Sequence, residues 1–261
     1  MLTTNHIHCC DNVQGLRQLP AECIDLTVTS PPYDDLRLYN GFTWDFEALA
    51  AELYRVTKPG GVIVWVVNDA TVRGSETGTS FKQALHFKEV GFNLHDTMIW
   101  KKPGTVFPSK VRYYASFEYM FIFSKGKPKT VHLIADRKNK HAGETMTATE
   151  RQRDGSLKES TGRRNGRKIK PVGVRHNVWE QRPAGGQKTG HPAVFPEKLA
   201  ADHIVSWSAP GDVIMDPFMG SGTTAVAAIR TGRQYIGFEC SAEYCEIARK
   251  RITEAEKNGK V

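Results

Sequence analysis

The feature that most constrains this chain is a short apolar strand, Val213–Asp216, that leads directly into a glycine-rich loop and then into a helix. A second apolar strand follows and ends in Glu239. This order predicts a βαβ unit, because parallel neighbours need a crossover connection and a helix usually provides it. The predicted elements are the strand 213–216, the loop 217–224, the helix 225–230 with Gly232 as its cap, the strand 234–238 and a helix from about Ala242.

The glycine loop matches neither of two common nucleotide-binding patterns. Its sequence Met219-Gly-Ser-Gly-Thr-Thr224 has no lysine, which disfavours a loop of the GxxxxGK(S/T) type that cradles ATP phosphates. The GxGxxG pattern fails at Ala225, although this one difference leaves a dinucleotide open. Either the backbone passes close to a ligand at a helix start, or the glycines allow a tight strand-to-helix turn. Asp216 and Glu239 would suit a ligand with a cationic amino acid part and a ribose.

The N-terminal half supplies a stiff turn at the end of a predicted strand. Strands are predicted over 6–11 and 25–29, joined by a short helix around 13–19, and the second strand runs into Ser30-Pro31-Pro32-Tyr33. Two consecutive prolines fix φ and remove two backbone donors. We therefore expect this turn to be exposed at the carboxyl edge of the sheet, where open α/β sheets place their chemistry.

Such a turn suits a planar ring that carries an amino group. The Ser30 hydroxyl oxygen and the Pro31 carbonyl could accept the two N–H groups of a base amine and direct its lone pair toward an electrophile. Tyr33 would stack on the ring. Stacking on an aromatic side chain contributes about 1 to 3 kcal/mol per base, which is comparable with the cost of extracting a base from a duplex.

Further patterns complete one sheet. Apolar residues at i, i+3, i+4 and i+7 predict a helix that begins after Asp45. The continuous apolar run Val62–Val67 is typical of a central parallel strand. The remaining predictions are a helix over 46–57 that stops at Gly60, strands over 96–100 and 117–124 that form a hairpin, and a loop over 74–80 that is either solvated or lies against a bound nucleic acid strand.

The formal net charge of +8 is concentrated in one segment. Residues 125–190 hold 17 Lys and Arg against 6 Asp and Glu, a balance of +11, whereas the rest of the chain holds 19 against 22. This segment has few apolar residues at helical or strand spacing and cannot form a core. We therefore predict one α/β core formed by residues 1–124 and 191–261, interrupted by a basic region over 125–190 that favours a polyanionic partner.

Composition also argues against several classes of protein. The longest apolar run, Val62–Val67, is far shorter than the ~20 residues of a membrane helix, and the first ten residues contain no apolar signal region. The five cysteines form no CxxC pair, which fits reduced thiols better than disulfides or structural zinc. We therefore expect a cytoplasmic protein without a metal site.

Two motifs together identify a resemblance to a family. Leu26-Thr-Val-Thr-Ser-Pro-Pro-Tyr33 and Asp216-Pro-Phe-Met-Gly-Ser-Gly-Thr223 resemble those of the DNA amino-methyltransferases, which use S-adenosylmethionine to methylate cytosine N4 or adenine N6. Their order, with a basic segment between them, is similar to the β class. The resemblance implies a Rossmann-like methyltransferase sheet, mostly parallel with an antiparallel hairpin and interrupted by a target-recognition insertion. It also implies double-stranded DNA as the substrate and a flipped target base.

The resemblance also assigns roles to individual residues. The catalytic residues would be Ser30, Pro31, Pro32 and Tyr33. The residues that bind the methionine part of the cofactor would be Asp216, Phe218, Gly220, Ser221, Gly222 and Thr223. The other cofactor-binding residues would be Glu239 at the ribose, Asp11 and Cys240 near the adenine, and His191, Pro192 and Phe195 over the sulfonium end.

Several alternatives stay open at this point. Asp11 and Glu239 could simply cap helices, His191 could be a polar residue before a helix, and Cys240 could be a packing residue. A serine before the prolines is more typical of N4-cytosine enzymes, with N6-adenine as the alternative. C5 methylation is disfavoured because no cysteine here follows a proline. Methylation of RNA or of a protein glutamine, and a non-catalytic DNA-binding role, are the rival functions, while a homodimer and a cognate restriction endonuclease are candidate partners.

Overall fold

The computed structural model describes residues 3–32, 44–104, 110–147, 149–159, 166–184 and 196–258. The chain divides into two compact units. The first unit contains residues 1–132 and 177–261, and the second contains residues 133–176. The second unit is thus shorter than the basic segment 125–190, whose two ends belong to the first unit.

The described residues form fourteen strands and six helices. The strands are β1 (His6–Cys9), β2 (Ile24–Thr29), β3 (Thr57–Val67), β4 (Thr71–Val72), β5 (Ser75–Glu76), β6 (Asn93–Lys101), β7 (Phe117–Ser124), β8 (Arg137–Lys138), β9 (Thr149–Arg151), β10 (Leu157–Glu159), β11 (Val172–Gly173), β12 (Val178–Glu180), β13 (Val213–Asp216) and β14 (Gln234–Glu239). The helices are α1 (Asn12–Arg17), α2 (Phe46–Val56), α3 (Thr79–Val90), α4 (Glu197–Trp207), α5 (Thr223–Arg230) and α6 (Ala242–Asn258).

One eight-stranded sheet forms the centre of the first unit, in the order β1-β14-β13-β2-β3-β7-β6-β12. Strands β1, β14, β13, β2 and β3 are parallel to one another, whereas β7 is antiparallel to both β3 and β6. The predicted mostly parallel α/β sheet with an antiparallel hairpin is therefore confirmed. The two sequence halves meet where β13 pairs with β2, with Ile214 opposite Leu26.

The core lies on both faces of this sheet, because successive side chains of a strand point to opposite faces. In β3, Ile63, Trp65 and Val67 are buried in a hydrophobic cluster with residues of α1, α2 and α3. Their neighbours Val62, Val64 and Val66 are buried as well. The continuous apolar run predicted as a central strand thus occupies that position, with side chains buried above and below it.

Helix α2 begins as predicted and ends early. The Asp45 side chain accepts a hydrogen bond from the Ala48 backbone N–H at 3.1 Å, which caps the helix. The helix ends at Val56 because Thr57 is extended and begins β3, so the prediction that it continues to residue 57 and stops at Gly60 was wrong. Gly60 instead lies inside β3 with a φ of +80°, where an added Cβ would lie 2.9 Å from Cβ of Lys129.

Helix α3 was not predicted, and it begins within the segment interpreted as a loop over 74–80. Its start is capped from outside the helix by Asp69, whose Oδ1 accepts the Ser80 backbone N–H at 2.8 Å. Its buried face includes the polar residues Ser80 and Gln83, and Gln83 Oε1 accepts the indole N–H of Trp65 at 2.9 Å. Residues 71–76, which overlap the start of this segment, form the small antiparallel hairpin β4–β5.

The second unit is built from short antiparallel pairs. Strand β9 pairs with β10, and β8 pairs with β11. None of its described side chains is fully buried. Strand β12, which follows this unit, joins the edge of the main sheet by pairing with β6, and it carries the buried Trp179. In the part of the chain that the structure describes, no helix has the length and apolar character needed to cross a membrane.

Candidate active site

The predicted proline turn and the predicted glycine loop start from neighbouring strands. Thr29, the last residue of β2, donates a hydrogen bond from Oγ1 to Oδ1 of Asp216, the last residue of β13, at 2.6 Å. This buried bond joins residues 187 positions apart in the chain. Ser30 and Pro31 follow Thr29 directly, so both motifs leave the sheet at the same carboxyl edge.

Asp216 is the buried anchor of this edge. Its carboxylate accepts hydrogen bonds from Thr29 Oγ1, from the Phe218 backbone N–H at 3.0 Å and from Thr224 Oγ1 at 2.7 Å. Burial raises the pKa of Asp216 to about 6, although these three hydrogen bonds oppose the shift and the charge of Glu239 adds to it. The carboxylate therefore fixes both ends of the glycine loop, at Phe218 and at Thr224, against β2.

The glycines of the loop are explained by backbone conformation and by the approach of α6. Gly220 and Gly222 have φ values of +49° and +83°. A Cβ on Gly222 would lie 3.0 Å from Cβ of Ala248 in α6. The tight-turn interpretation therefore accounts for Gly222.

Glu239 connects the loop to the start of α6. One carboxylate oxygen accepts the Gly220 backbone N–H at 2.8 Å, and the other accepts the Ser241 backbone N–H at 2.9 Å. Glu239 thus holds Gly220 and Ser241 in place, while the first turn of α6 is capped by Ser241, whose Oγ accepts the Tyr244 backbone N–H at 3.4 Å. Its side chain is only partly buried at the strand end.

Asp11 and Cys240 lie at the same edge. Strands β1 and β14 pair in register with Cys9 opposite Glu239, which brings the residues that follow each strand together. Asp11 caps α1, because its Oδ1 accepts the Gln14 backbone N–H at 2.9 Å. Burial, with the charge of Glu239 and a smaller contribution from Asp11, raises the pKa of Cys240 to about 11, so this thiol is protonated at neutral pH.

Phe218 forms part of an aromatic wall beside the loop. Its ring meets that of Trp44 edge-on at a centroid distance of 5.0 Å, and Trp65 lies 6.4 Å away. In the proline turn, Pro31 is buried while Ser30 and Pro32 are partly buried, so the prediction of an exposed turn is not met by these three residues. Tyr33, His191, Pro192 and Phe195 lie outside the described residues.

Two residues of this edge were missed by sequence reasoning. Arg251 of α6 donates from one guanidinium nitrogen to the Ser221 carbonyl at 2.6 Å, to Ser221 Oγ at 2.8 Å and to Thr223 Oγ1 at 3.3 Å. Gly237 of β14 lets Met219 lie on the strand, because a Cβ there would be 2.2 Å from the Met219 Cε. The run Arg249-Lys-Arg251 resembles a solvated helix face, so no pattern in the sequence indicates that Arg251 holds the loop.

The family of the chain is shown by comparison with known proteins. A family model, N6_N4_Mtase, described as "DNA methylase", matches residues 24–250, and the chain belongs to this family. It is 59% identical over 238 residues to the orphan methyltransferase M.BamHII of Bacillus amyloliquefaciens, an alignment that covers 88% of each sequence. The resemblance stated from the two motifs is thereby confirmed.

Solved structures show the same fold. The cytosine-N4-specific PvuII DNA methyltransferase matches with a TM-score of 0.68 at 21% identity, over 99% of this chain and 93% of that one. The M1.HpyAVI–SAM complex matches with a TM-score of 0.60 at 24% identity, over 94% and 98% of the two chains. The protein is thus a DNA methyltransferase of the N4/N6 amino-methyltransferase family with S-adenosylmethionine as its cofactor.

The chemistry of the edge fits this cofactor. Asp216 and Glu239 end neighbouring strands, and they lie close enough for the charge of Glu239 to raise the pKa of Asp216. A cationic amino group bound beside them would relieve this repulsion. Within the described residues no group of three His, Cys, Asp or Glu side chains is arranged to hold a metal ion.

Proposed function

We propose that this protein methylates the exocyclic N4 amine of cytosine in DNA. The observation that carries the proposal is the buried hydrogen bond between Thr29 and Asp216, at 2.6 Å. It fastens the strand end that bears Ser30 and Pro31 to the strand end that bears the glycine loop. An amine held at the first motif and a methyl donor held at the second would therefore share one edge of the sheet.

The proline turn orients the amine in this proposal. The Ser30 hydroxyl oxygen and the Pro31 carbonyl accept the two amine N–H groups, which draws the nitrogen toward tetrahedral geometry and frees its lone pair. Tyr33 stacks on the base, and Pro32 keeps the turn stiff. The cofactor supplies a methyl group on a positively charged sulfur. The nitrogen would form a bond to the methyl carbon as the carbon–sulfur bond breaks and leaves its electron pair on the sulfur. The nitrogen would then lose one proton, which would pass through the bond to Ser30 Oγ toward water.

The cofactor-binding roles follow the strand ends. Asp216 and the loop residues Phe218, Gly220, Ser221, Gly222 and Thr223 hold the methionine part. Glu239 binds the ribose hydroxyls, with Asp11 and Cys240 beside the adenine. His191, Pro192 and Phe195 close over the sulfonium end. Because Oε1 and Oε2 of Glu239 each accept one backbone N–H, the carboxylate keeps further lone pairs for the ribose.

The second unit is proposed as the target-recognition region. Residues 133–176 hold 12 Lys and Arg against 5 Asp and Glu, a balance of +7. Its described side chains are exposed or partly exposed, as phosphate contacts require. This unit is the central part of the basic segment 125–190.

Ser30 supports cytosine N4 over adenine N6 as the methylated position, because a serine before the two prolines is more typical of the N4-cytosine enzymes. The deciding experiment incubates the protein with duplex DNA and labelled S-adenosylmethionine and then analyses the nucleosides by mass. N4-methylcytosine is the expected product. N6-methyladenine would replace the proposed base, and label found only in RNA or protein would overturn the substrate. DNA binding without transfer would show that the fold has lost its activity.

Mapping the methylated position would then test whether the protein protects DNA from a cognate restriction endonuclease. Methylated plasmid is digested with a panel of restriction endonucleases of known sites. Resistance to one enzyme identifies the recognition sequence that the methyltransferase protects.

A further inference from the structure

Aromatic rings become progressively more exposed along β7 toward the carboxyl edge. Phe123 and Phe121 are buried in the core, Tyr119 is partly buried, and Phe117 is 39% exposed. The Tyr119 ring lies 5.3 Å from Phe117 and 5.3 Å from Phe81 of α3, which is 49% exposed. A continuous set of rings thus extends from the core to the surface.

The segment just before β7 adds two more rings. Tyr113 is fully exposed and Tyr114 is about half exposed. We name the five residues Phe81, Tyr113, Tyr114, Phe117 and Tyr119 the aromatic edge. Phe81 and Phe117 are each in ring contact with Tyr119, and Tyr113 and Tyr114 precede Phe117 in the chain. Exposed aromatic groups close together in this way usually mark an interaction site.

One side-chain contact and one backbone contact hold the segment that carries Tyr113. The Arg112 guanidinium donates to the Gly74 carbonyl at the tip of the β4–β5 hairpin and lies 3.5 Å from Glu76 Oε1. On the other side, the Lys102 backbone N–H donates to the Ser116 carbonyl at 2.7 Å. The backbone of Tyr113 therefore lies between two residues, Arg112 and Ser116, that are bonded to neighbouring segments, while its ring is free to meet a partner.

The β7 end of the aromatic edge lies at the same sheet edge as the catalytic turn. Tyr119 of β7 pairs with Val67 at the end of β3, and β3 is the neighbour of β2, which leads into Ser30. Two strand spacings separate β7 from β2, or about 10 Å across the sheet. All of these residues belong to the first unit, outside the second unit proposed for target recognition.

The charge around these rings favours a polyanion. Segments 71–82 and 110–117 contain Arg73, Lys82, Lys110 and Arg112 against Glu76. Asp69 is a second acid near Tyr119, so the balance around the rings is +2. The whole first unit has 24 Lys and Arg against 23 Asp and Glu. Aromatic rings interleaved with cations form the combination that binds unpaired nucleic acid bases and their phosphates.

We propose that the aromatic edge is a second DNA-contacting surface, on which Tyr113 stacks against a base next to the extruded target while Lys110 contacts the phosphate backbone. This inference rests on the proposed function, since it assumes a DNA substrate whose target base has left the stack. The vacated position exposes the faces of the neighbouring bases, and a flat ring can cover such a face regardless of sequence.

The test compares Tyr113→Leu with Tyr113→Phe. Leucine keeps apolar area and removes the flat ring, whereas phenylalanine keeps the ring. We expect Tyr113→Leu to weaken DNA binding about five- to a hundredfold, with S-adenosylmethionine affinity unchanged, and Tyr113→Phe to stay within about twofold of wild type. In duplexes with 2-aminopurine beside the target, quenching should appear with wild type and disappear with Tyr113→Leu.

A charge variant tests the phosphate contact. Lys110→Gln should reduce the slope of log K against log salt by about one, while Lys257→Gln, at the end of α6, should leave it unchanged. The inference is overturned if wild type methylates DNA and Tyr113→Leu binds DNA equally well. It is also overturned if Tyr113→Leu only converts a dimer to a monomer in sedimentation, because the rings would then join two copies of the chain. Absence of methyl transfer by wild type would instead contradict the proposed function.

Discussion

At the scale of the residue, the proposed mechanism depends most directly on Ser30. Removing its hydroxyl takes away one of the two acceptors that orient the amine, while the Thr29–Asp216 bond and the glycine loop remain. Ser30→Ala is therefore expected to lower the single-turnover methylation rate about a hundredfold. S-adenosylmethionine affinity, measured by calorimetry, should change little.

Ser30→Thr is the control for this variant, because it keeps a hydroxyl at the same position. It should retain more activity than Ser30→Ala. A large loss of cofactor affinity in Ser30→Ala would contradict the assignment of this turn to the amine, since that turn would then contribute to the cofactor site.

The buried carboxyl of Asp216 predicts a pH dependence of cofactor binding. Its pKa is raised to about 6 by burial, so the group loses its charge as the pH falls through this value. A cationic amino group is attracted only by the ionised form. Affinity for S-adenosylmethionine should therefore be full above pH 7 and fall below pH 6, by up to about tenfold per pH unit.

The variant Asp216→Asn distinguishes the titration of Asp216 from that of the other ionisable groups at this sheet edge. The variant should bind the cofactor more weakly at pH 7 and show a flatter pH profile between 5 and 7. Without cofactor the pH acts in the opposite direction. Because the pKa of Asp216 is raised in the folded state, protonation stabilises the folded state, and the free energy of unfolding should increase as the pH falls from about 6 to 4. An unchanged pH profile in Asp216→Asn would assign the titration elsewhere.

At the scale of the element, α6 supports the glycine loop through Arg251. Its three hydrogen bonds to Ser221 and Thr223 hold loop residues that Asp216 does not contact. Hydrogen bonds to charged groups contribute about 1.5 to 3 kcal/mol. Arg251→Gln should therefore weaken S-adenosylmethionine binding at least about tenfold and lower the melting temperature by a few degrees.

Arg249→Gln is the matched control on the same helix, because Arg249 pairs with the exposed Glu246. It should leave cofactor affinity unchanged. Arg251→Lys keeps the positive charge but lacks the planar guanidinium group, so its affinity for S-adenosylmethionine should lie between those of Arg251→Gln and wild type. Equal cofactor affinities in Arg251→Gln and wild type would show that the loop keeps its shape without α6.

The elements that were predictable share a simple pattern. Asp45 followed by apolar residues at helical spacing defined α2, and unbroken apolar runs defined β3 and β13. Helix α3 was missed because its buried face contains Ser80 and Gln83, whose partners Asp69 and Trp65 come from other elements. Hydrophobic periodicity cannot reveal a buried helix face whose polar side chains are hydrogen-bonded to residues distant in the sequence.

The candidate active site also contains residues that the sequence predicts and residues that it does not. Asp216, Glu239 and the proline turn were visible because each follows an apolar strand, and parallel strands end at one edge. Arg251 and Gly237 act through contacts that only the folded chain creates. Tertiary contacts of single polar or glycine residues leave no periodic trace in a sequence.

At the scale of the whole molecule, the basic second unit should control the salt dependence of DNA binding. Three exposed cations of its β9–β10 hairpin are suitable for replacement: Arg151, Arg153 and Lys158. Changing all three to glutamine should reduce the slope of log K against log salt by up to about 0.9 for each phosphate that is no longer neutralised. The rate at saturating DNA should change less than the affinity.

The matched control replaces three exposed lysines of the first unit, Lys88, Lys250 and Lys257, with glutamine. This triple variant has the same change in net charge and should keep the salt slope of wild type. If both triple variants shifted the slope equally, net charge would explain binding, and the second unit would have no special part in it.

The pairing of β2 with β13 also has a consequence for how the protein is made. Thr29 meets its partner Asp216 across 187 positions, so β2 leaves the ribosome long before the strand that completes it. Contacts of such large sequence separation form late and slow folding. During synthesis one side of β2 is an uncovered strand edge, and a cell that expresses this protein would gain from a chaperone that shields that edge until the last quarter of the chain arrives.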